Sequence, residues 1–267
     1  MSATSTISGP KALQTVQIIE QPLKCAMPLA THASLVLARF ADIRQTGPVF
    51  PPTSPDTLFL KAAADVRAGN SSGRDQRGFK FAVYGLHTSQ EAARHAMDHR
   101  LTITPWIQEA MEVWAGVLSP FRHFGEANFL DREAPAPIYQ VADSPPEEGK
   151  PIVICTTVGW NSTDAVAMER IKRFGEGVAA VRIGMTGLPG LHSQQSFSFP
   201  DGLVDDGLTV TFWKDVASAM AFAYGPGLHR GQVKTQREEP DGDRTSFTRF
   251  TALHSEGEWH GFNPVRV

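Results

Sequence analysis

The chain has 267 residues, of which 41% are hydrophobic and 20% are charged, and its formal net charge is −3. This length accommodates one large domain or two domains of ordinary size. The lack of a basic excess argues against nucleic acid as a partner. No apolar run approaches the roughly 18–20 residues that a membrane-spanning helix needs.

Cys25 and Cys155 are the two cysteines, and they lie far apart without a CxxC motif. This spacing predicts neither a disulfide framework nor a cysteine-based metal site. The first residues lack the charged segment and long apolar core of a secretory signal. We therefore expect a cytoplasmic protein, with residues 1–32 as an N-terminal arm.

The first half of the chain, residues 33–131, is predicted to mix strands and helices. Ser54 is a candidate helix cap, Thr88 opens a capping box with Glu91, and Pro105 follows the candidate cap Thr104. These signals and the hydrophobic periodicity predict strands at 33–40, 78–86 and 121–130, and helices at 54–69, 88–97 and 104–118.

A stretch rich in proline and acidic residues, 132–150, has the composition of a linker. Residues 151–267 follow it as a second half. The patterns there predict strands at 151–160, 178–184, 193–199, 208–213 and 245–253, and helices at 161–174, capped by Asn161 or Ser162, and at 215–224, headed by Asp215. A further helix contains His229.

The two halves share a rough order of elements, although they share little sequence. One such unit forms a sheet with helices on a single face, and its other face must be covered. A second copy can cover that face by closing into a barrel-like α+β pair. The sequence therefore predicts two tandem α+β repeats, 33–131 and 151–267, around a barrel-like core.

His229 is the first candidate for chemistry. It follows the break Gly225-Pro226-Gly227 and lies in the first turn of a helix, with Val233 on the same face. The positive end of a helix disfavours an imidazolium and favours the neutral imidazole that binds iron or zinc. The alternative is a partly buried structural histidine, and spacing alone leaves both interpretations open.

The remaining histidines form no recognisable metal set. His95 and His99 are four residues apart but lie at a helix end, and His254 and His260 flank the last strand. Arg182 and His192, with Gln194 and Gln195, lie on or beside predicted strands, where they could supply polar donors above a cofactor or simply follow strand alternation. The glycine-rich segment 184–190 is predicted to be a loop that could act as a lid.

The C-terminal region resembles the spheroidene monooxygenase family across about residues 208–265. The resemblance is carried by Phe212-Trp213, Ala221 to Tyr224, His229, Arg237-Glu238, Arg249-Phe250, Trp259, Gly261 and Pro264. These proteins oxidise carotenoids and have the ferredoxin-like fold of the dimeric α+β barrel superfamily. The resemblance thus implies two tandem ferredoxin-like repeats.

The same resemblance implies a haem b enzyme with His229 as the proximal iron ligand. Val233, Phe212 and Met220 are the predicted cofactor-binding neighbours, and Arg182 and His192 are the predicted catalytic groups beside bound oxygen. The implied reaction inserts oxygen, from molecular oxygen or peroxide, into a small or apolar substrate. An electron donor and a homodimeric assembly are compatible with this interpretation.

The chain departs from the family pattern at 238–244 and at 191–207, where an insertion is indicated, and these departures concern the substrate more than the iron ligand. Two alternatives stay open. One is a haem enzyme of the same fold that dehydrates or rearranges an N–O substrate without net oxidation. The other is a cofactor-free binding module.

Overall fold

The computed structural model describes residues 28–52, 54–65, 77–126, 138–199, 206–226 and 228–266. In chain order the elements are β1 (His32–Gln45), β2 (Thr57–Asp65), β3 (Arg77–His87), α1 (Gln90–Asp98), α2 (Arg100–Ile103), a 3₁₀ helix (Pro105–Glu109), β4 (Glu112–Gly125), β5 (Ile152–Gly159), α3 (Ala165–Gly184), β6 (Leu191–Phe199), β7 (Asp206–Trp213), α4 (Val216–Tyr224), α5 (Leu228–Glu238) and β8 (Arg244–Gly257).

The strands form one closed antiparallel barrel in the order β1-β3-β2-β6-β7-β5-β8-β4. The first half contributes β4-β1-β3-β2, and the second half contributes β8-β5-β7-β6, so both halves have the strand order of a ferredoxin-like repeat. The β2–β6 and β4–β8 pairs join the halves and leave no open sheet edge. The predicted fold of two tandem ferredoxin-like repeats around a barrel-like core is confirmed.

The barrel interior is a packed core. Because side chains alternate between the two faces of a strand, every second residue of each strand points inward. Large buried side chains of this interior come from both halves, among them Leu35, Leu37, Phe59, Tyr84, Trp114, Phe197, Phe199, Phe212, Phe250 and Trp259. The two repeats therefore share one core.

Helices cover the outer face of each half. In the first half, α1 and the 3₁₀ helix pack Met97 and Ile107 against Val36 and Phe81. In the second half, α3 and α4 pack Met185 and Ala219 against Ile152 and Trp213. No helix in the described ranges combines the length and the hydropathy needed to cross a membrane.

The helix predicted at 54–69 is wrong, because residues 57–65 form β2. Alanine-rich sequence favours a helix locally, but β2 pairs with β3 along most of its length and with β6 at its end. Tertiary pairing outweighs that local preference. The Ser54 side chain accepts a hydrogen bond from Asp56 N at 3.2 Å, so the polar signal marks a turn before the strand.

The helix predicted at 104–118 is also wrong. Thr104 and Pro105 do begin a helical segment, but it is a 3₁₀ helix that ends at Glu109, and β4 begins at Glu112. Trp114 faces the barrel interior while Ala115 and Val117 face the outer layer, so both sides of this strand are buried. A strand buried on both faces has no polar alternation to identify it.

The strand predicted at 178–184 is wrong as well, since these residues belong to α3. That helix is capped by Asp164, whose side chain accepts a hydrogen bond from Ala167 N, rather than by Asn161 or Ser162, and it extends ten residues beyond the predicted end at 174. The strand predicted at 121–130 is the end of β4 as far as Gly125, and residues 127–130 lie outside the described residues.

The domain boundaries stay predictions. Residues 1–27 of the predicted arm and 127–137 around the start of the predicted linker lie outside the described residues. Within the linker, Tyr139 forms a parallel bridge with Ala30 and is 5% exposed, among the side chains of the barrel core. This part of the linker is therefore packed into the fold.

Candidate cofactor cavity

A cavity of about 660 Å³ lies between the helices of the second half and the outer face of β7. Its volume is within the range of about 300–1,000 Å³ that is usual for small-molecule and cofactor sites. The lining residues are Val181, Gly184, Leu188, Pro189, Trp213, Ala217, Ser218, Ala221, Phe222, Pro226 and His229. Nearly all of them are apolar, so the cavity suits an apolar ligand.

Local sequence explains why α4 ends beside the cavity. The carboxylate of Asp215 accepts a hydrogen bond from Ser218 N at 2.7 Å and caps the helix. At the other end, Gly225 N donates to the carbonyl of Ala221, and Pro226 cannot continue the helix. The chain turns there and α5 begins at Leu228, which places His229 in the cavity wall.

The ring of His229 is held in one tautomer. Its Nδ1 lies 3.3 Å from the carbonyl oxygen of Ala223, and since a carbonyl only accepts, Nδ1 carries the proton. Burial lowers the pKa of His229, and the bond to Ala223 only partly offsets this. The ring is therefore neutral near pH 7, with the lone pair on Nε2, the arrangement that metal-binding histidines use.

The rings of two aromatic residues lie in a row between His229 and the sheet. The ring of Phe222 lies 4.5 Å from that of His229, and the ring of Trp213 lies 5.4 Å from that of Phe222. Trp213 Nε1 donates to Thr211 Oγ1 at 2.9 Å, which fixes the indole. Together these rings form a rigid apolar wall.

The structure separates Phe212 from the cavity. Phe212 packs inside the barrel against Trp114, with ring centroids 4.9 Å apart, whereas its neighbour Trp213 lines the cavity. Strand alternation explains the difference, since adjacent residues of β7 point to opposite faces. Sequence reasoning identified the Phe-Trp pair but selected its inward-facing member as a cofactor neighbour.

Arg182, His192 and Met220 are not among the described residues that line the cavity. Arg182 belongs to α3, and its carbonyl accepts a hydrogen bond from Gln194 Nε2 at 3.2 Å. His192 Nδ1 donates to the carbonyl of Pro264 at 2.9 Å and so tethers the C-terminal segment. Met220 packs in the apolar cluster around Trp213. Val233 lies in α5, and its side chain is outside the described part.

Sequence reasoning missed the small side chains that create the space. Ala217, Ser218 and Ala221 on α4 and Gly184 on α3 all line the cavity. Ala217 and Ala221 are four residues apart and so share one face of the helix. This spacing could have indicated a small-residue face beside a cavity, but a row of alanines on a helix usually indicates close helix packing.

The cavity fits an iron porphyrin better than a bare metal ion. Among the described residues, no group of three His, Cys, Asp or Glu side chains could hold a metal, whereas haem iron needs one axial protein ligand. His229 supplies a lone pair in the wall of an apolar space. An imidazole lone pair beside an apolar cavity is thus the feature of the described residues that is compatible with haem.

The chain is similar in sequence to a known monooxygenase. No protein-family model matches the chain. Spheroidene monooxygenase from Rhodobacter capsulatus is 29% identical over 191 residues, which cover 69% of this chain and 71% of the relative. The chain is a homologue of that protein, and the resemblance drawn from the C-terminal motifs is confirmed.

Two solved structures share the fold. The crystal structure of an aldoxime dehydratase matches with a TM-score of 0.52 and 13% identity, over 89% of this chain and 87% of that one. A second aldoxime dehydratase, crystallised with butyraldoxime, matches with a TM-score of 0.50 and 11% identity, over 88% and 84%. At such low identity the likeness concerns the fold alone.

Proposed function

We propose that this homologue of spheroidene monooxygenase is a haem b-dependent monooxygenase with His229 as the proximal iron ligand. The observation that carries the proposal is the fixed tautomer of His229 in the wall of the apolar cavity. When bound, haem iron would activate molecular oxygen or peroxide for insertion of an oxygen atom into the substrate.

The chain's own residues have three tasks in this proposal. His229 offers Nε2 while the Ala223 carbonyl holds the opposite side of its ring. Trp213, Phe222 and Leu188 keep bulk water away and favour a small or apolar substrate. A haem held by a neutral imidazole would lack the electron push of a thiolate ligand and would need polar groups near bound oxygen. Arg182 and His192 are proposed for this role, although neither is among the described residues that line the cavity.

The first test is whether His229 retains haem. The protein is produced with a haem precursor, and its absorption spectrum and haem-to-protein ratio are measured. In His229→Ala we expect the Soret band to be lost or displaced, because no other imidazole lines the cavity among the described residues. The matched control is His254→Ala, since His254 lies on β8 and bonds to Glu256. An unchanged Soret band in His229→Ala would assign the ligand elsewhere.

The reaction type is tested on the haem-loaded protein with apolar candidate substrates. A monooxygenase needs a reductant, delivered by an electron donor, and consumes oxygen in proportion to product. Turnover without oxygen or reductant would contradict the oxygenase and support the non-oxidative alternative. A protein that stays colourless after haem is added would instead favour a cofactor-free binding module.

A further inference from the structure

The barrel interior contains a line of polar side chains that the proposed oxygenase reaction does not use. Cys155, Tyr84, Tyr139 and Thr248 are all buried in the barrel, with exposures of 5% or less, and His123 continues the line to the barrel end. Burying polar groups in an apolar core is costly unless each one is hydrogen-bonded. Each of these side chains should therefore have a hydrogen-bond partner.

The five side chains form a continuous chain of hydrogen bonds. The hydroxyls of Tyr84 and Tyr139 lie 2.7 Å apart. Tyr84 also bonds to the Cys155 thiol, and Tyr139 bonds to the Thr248 hydroxyl. Thr248 Oγ1 lies 2.8 Å from His123 Nδ1, and His123 Nε2 lies 3.0 Å from the carbonyl oxygen of Gly125.

One terminal contact sets the direction of the bonds between Tyr84 and His123. The Gly125 carbonyl can only accept, so His123 Nε2 carries the proton, and Nδ1 of the neutral ring accepts from Thr248. Thr248 has then used its only proton and must accept from Tyr139. By the same logic Tyr139 accepts from Tyr84. From Tyr84 onward, the donors therefore point toward His123.

The phenols stay neutral across the physiological range. Burial raises the pKa of Tyr84 well above its ordinary value and also raises the pKa of Tyr139. A phenol that cannot form a phenolate can still be oxidised if its proton leaves together with the electron. Tyr139 has an acceptor for that proton in Thr248 and, beyond it, a neutral imidazole.

We propose that Tyr139 is a one-electron redox site, with Thr248 and His123 as its proton exit and Tyr84 as the hydrogen-bond donor to its radical. On oxidation, Tyr139 gives one electron to the oxidant and its phenolic proton to Thr248 Oγ1. The Thr248 proton passes to His123 Nδ1, forming an imidazolium and leaving a neutral tyrosyl radical. Return of an electron and a proton reverses each step.

The Cys155 end of this hydrogen-bonded line lies close to the proposed haem cavity. Ile152 on β5 pairs with the cavity-lining Trp213. Cys155 is three residues beyond Ile152, so it lies roughly 10 Å along the strand from that pair. The physiological oxidant would be peroxide at the cavity. One peroxide would take two electrons from two successive oxidations of Tyr139, with an electron donor reducing the radical in between, and two protons from water to give two waters. Only this choice of oxidant rests on the proposed function.

The sequence makes the site testable, because the chain has three tyrosines and the third, Tyr224, is exposed. Photogenerated tris(bipyridine)ruthenium(III) serves as the oxidant on haem-free protein, so failure of the haem proposal does not affect the outcome. Electron paramagnetic resonance of protein with deuterated tyrosine distinguishes tyrosyl from tryptophanyl radicals. In Tyr224→Phe, which leaves the core untouched, we expect the tyrosyl signal to persist, and its loss would overturn the proposal.

Three further variants test the roles of the hydrogen-bonded side chains. We expect Tyr139→Phe to lose the signal and Tyr84→Phe to keep it with a shifted g value, because the radical loses its donor. His123→Gln should slow radical formation about tenfold or more, a barrier increase of about 1.4 kcal/mol. An unchanged rate in His123→Gln, or a surviving signal in Tyr139→Phe, contradicts the proposal. Circular dichroism checks the fold of each variant.

Discussion

At the scale of single residues, one position along a strand decides what a side chain can do. Phe212 and Trp213 are adjacent in sequence, yet one fills the barrel and the other lines the cavity. The tautomer of His229 is similarly set by one contact, the carbonyl of Ala223. The residue type thus supplies the chemistry, and its immediate neighbours determine which atom is available.

Another histidine, His87, leads to a prediction about acid stability. It is fully buried and lies within hydrogen-bond distance of Ser34 Oγ at 2.9 Å and Thr57 Oγ1 at 3.2 Å. Burial, with a smaller effect of His32, lowers the pKa of His87 to about 4 from 6.5. The unfolded chain therefore binds a proton between these pH values that the folded chain does not.

Because the folded pKa is depressed, the free energy of unfolding should fall as the pH falls from about 6.5 to about 4, by on the order of 3 kcal/mol from His87. We expect His87→Gln to flatten this part of the profile. Urea denaturation measured at several pH values checks it, with the exposed His95→Gln as control. Equal slopes for wild type and His87→Gln would refute the assignment.

At the scale of elements, the cap of α4 supports the cavity wall. Asp215 accepts the hydrogen bond from Ser218 N, and we expect Asp215→Ala to lower the free energy of unfolding by about 1 kcal/mol. Asp215→Asn should retain most of this, because asparagine also caps helices. Urea denaturation at pH 7 measures both, with Asp143→Ala as a control on an exposed segment.

The same cap predicts how the free energy of unfolding changes with pH. The hydrogen bond from Ser218 N lowers the pKa of Asp215 below 3.8. Its contribution is therefore present above that value and is lost as the pH falls through the folded pKa. Asp215→Asn should lack this acid loss. If Asp215→Ala is as stable as wild type at pH 7, the cap does not contribute to holding the helix.

At the scale of the whole molecule, the shared barrel couples the two halves. Leu35, Tyr84 and Trp114 pack in one cluster with Phe197 and Phe250, and the β4–β8 seam pairs long strands across the halves. We therefore expect the full chain to unfold in a single transition by heat or urea.

Residues 151–267 expressed alone should be unfolded or self-associated, because β6 and β8 would lose their partners β2 and β4. Light scattering and circular dichroism test this. A monomeric fragment with a sharp unfolding transition would show instead that the second half is an independent domain.

Several features that depend on neighbours in sequence were correctly predicted. Asp215 heads α4, the Gly225-Pro226-Gly227 break precedes the helix of His229, and the strands at 193–199 and 208–213 lie where their patterns indicate. The order of elements was enough to predict two repeats that close a barrel. Caps, breaks and alternation act over a few residues, so the sequence contains the information directly.

Features that depend on distant partners were decided by the tertiary structure. β2 is a strand because β3 and β6 flank it. The sequence of β4 does not alternate between apolar and polar residues, because both faces of the strand are buried. The placement of Phe212 inside the barrel, and of Arg182 and His192 away from the cavity lining, also required the assembled fold. Burial and pairing energies come from residues far apart in the chain, and local sequence patterns do not encode which partners they will meet.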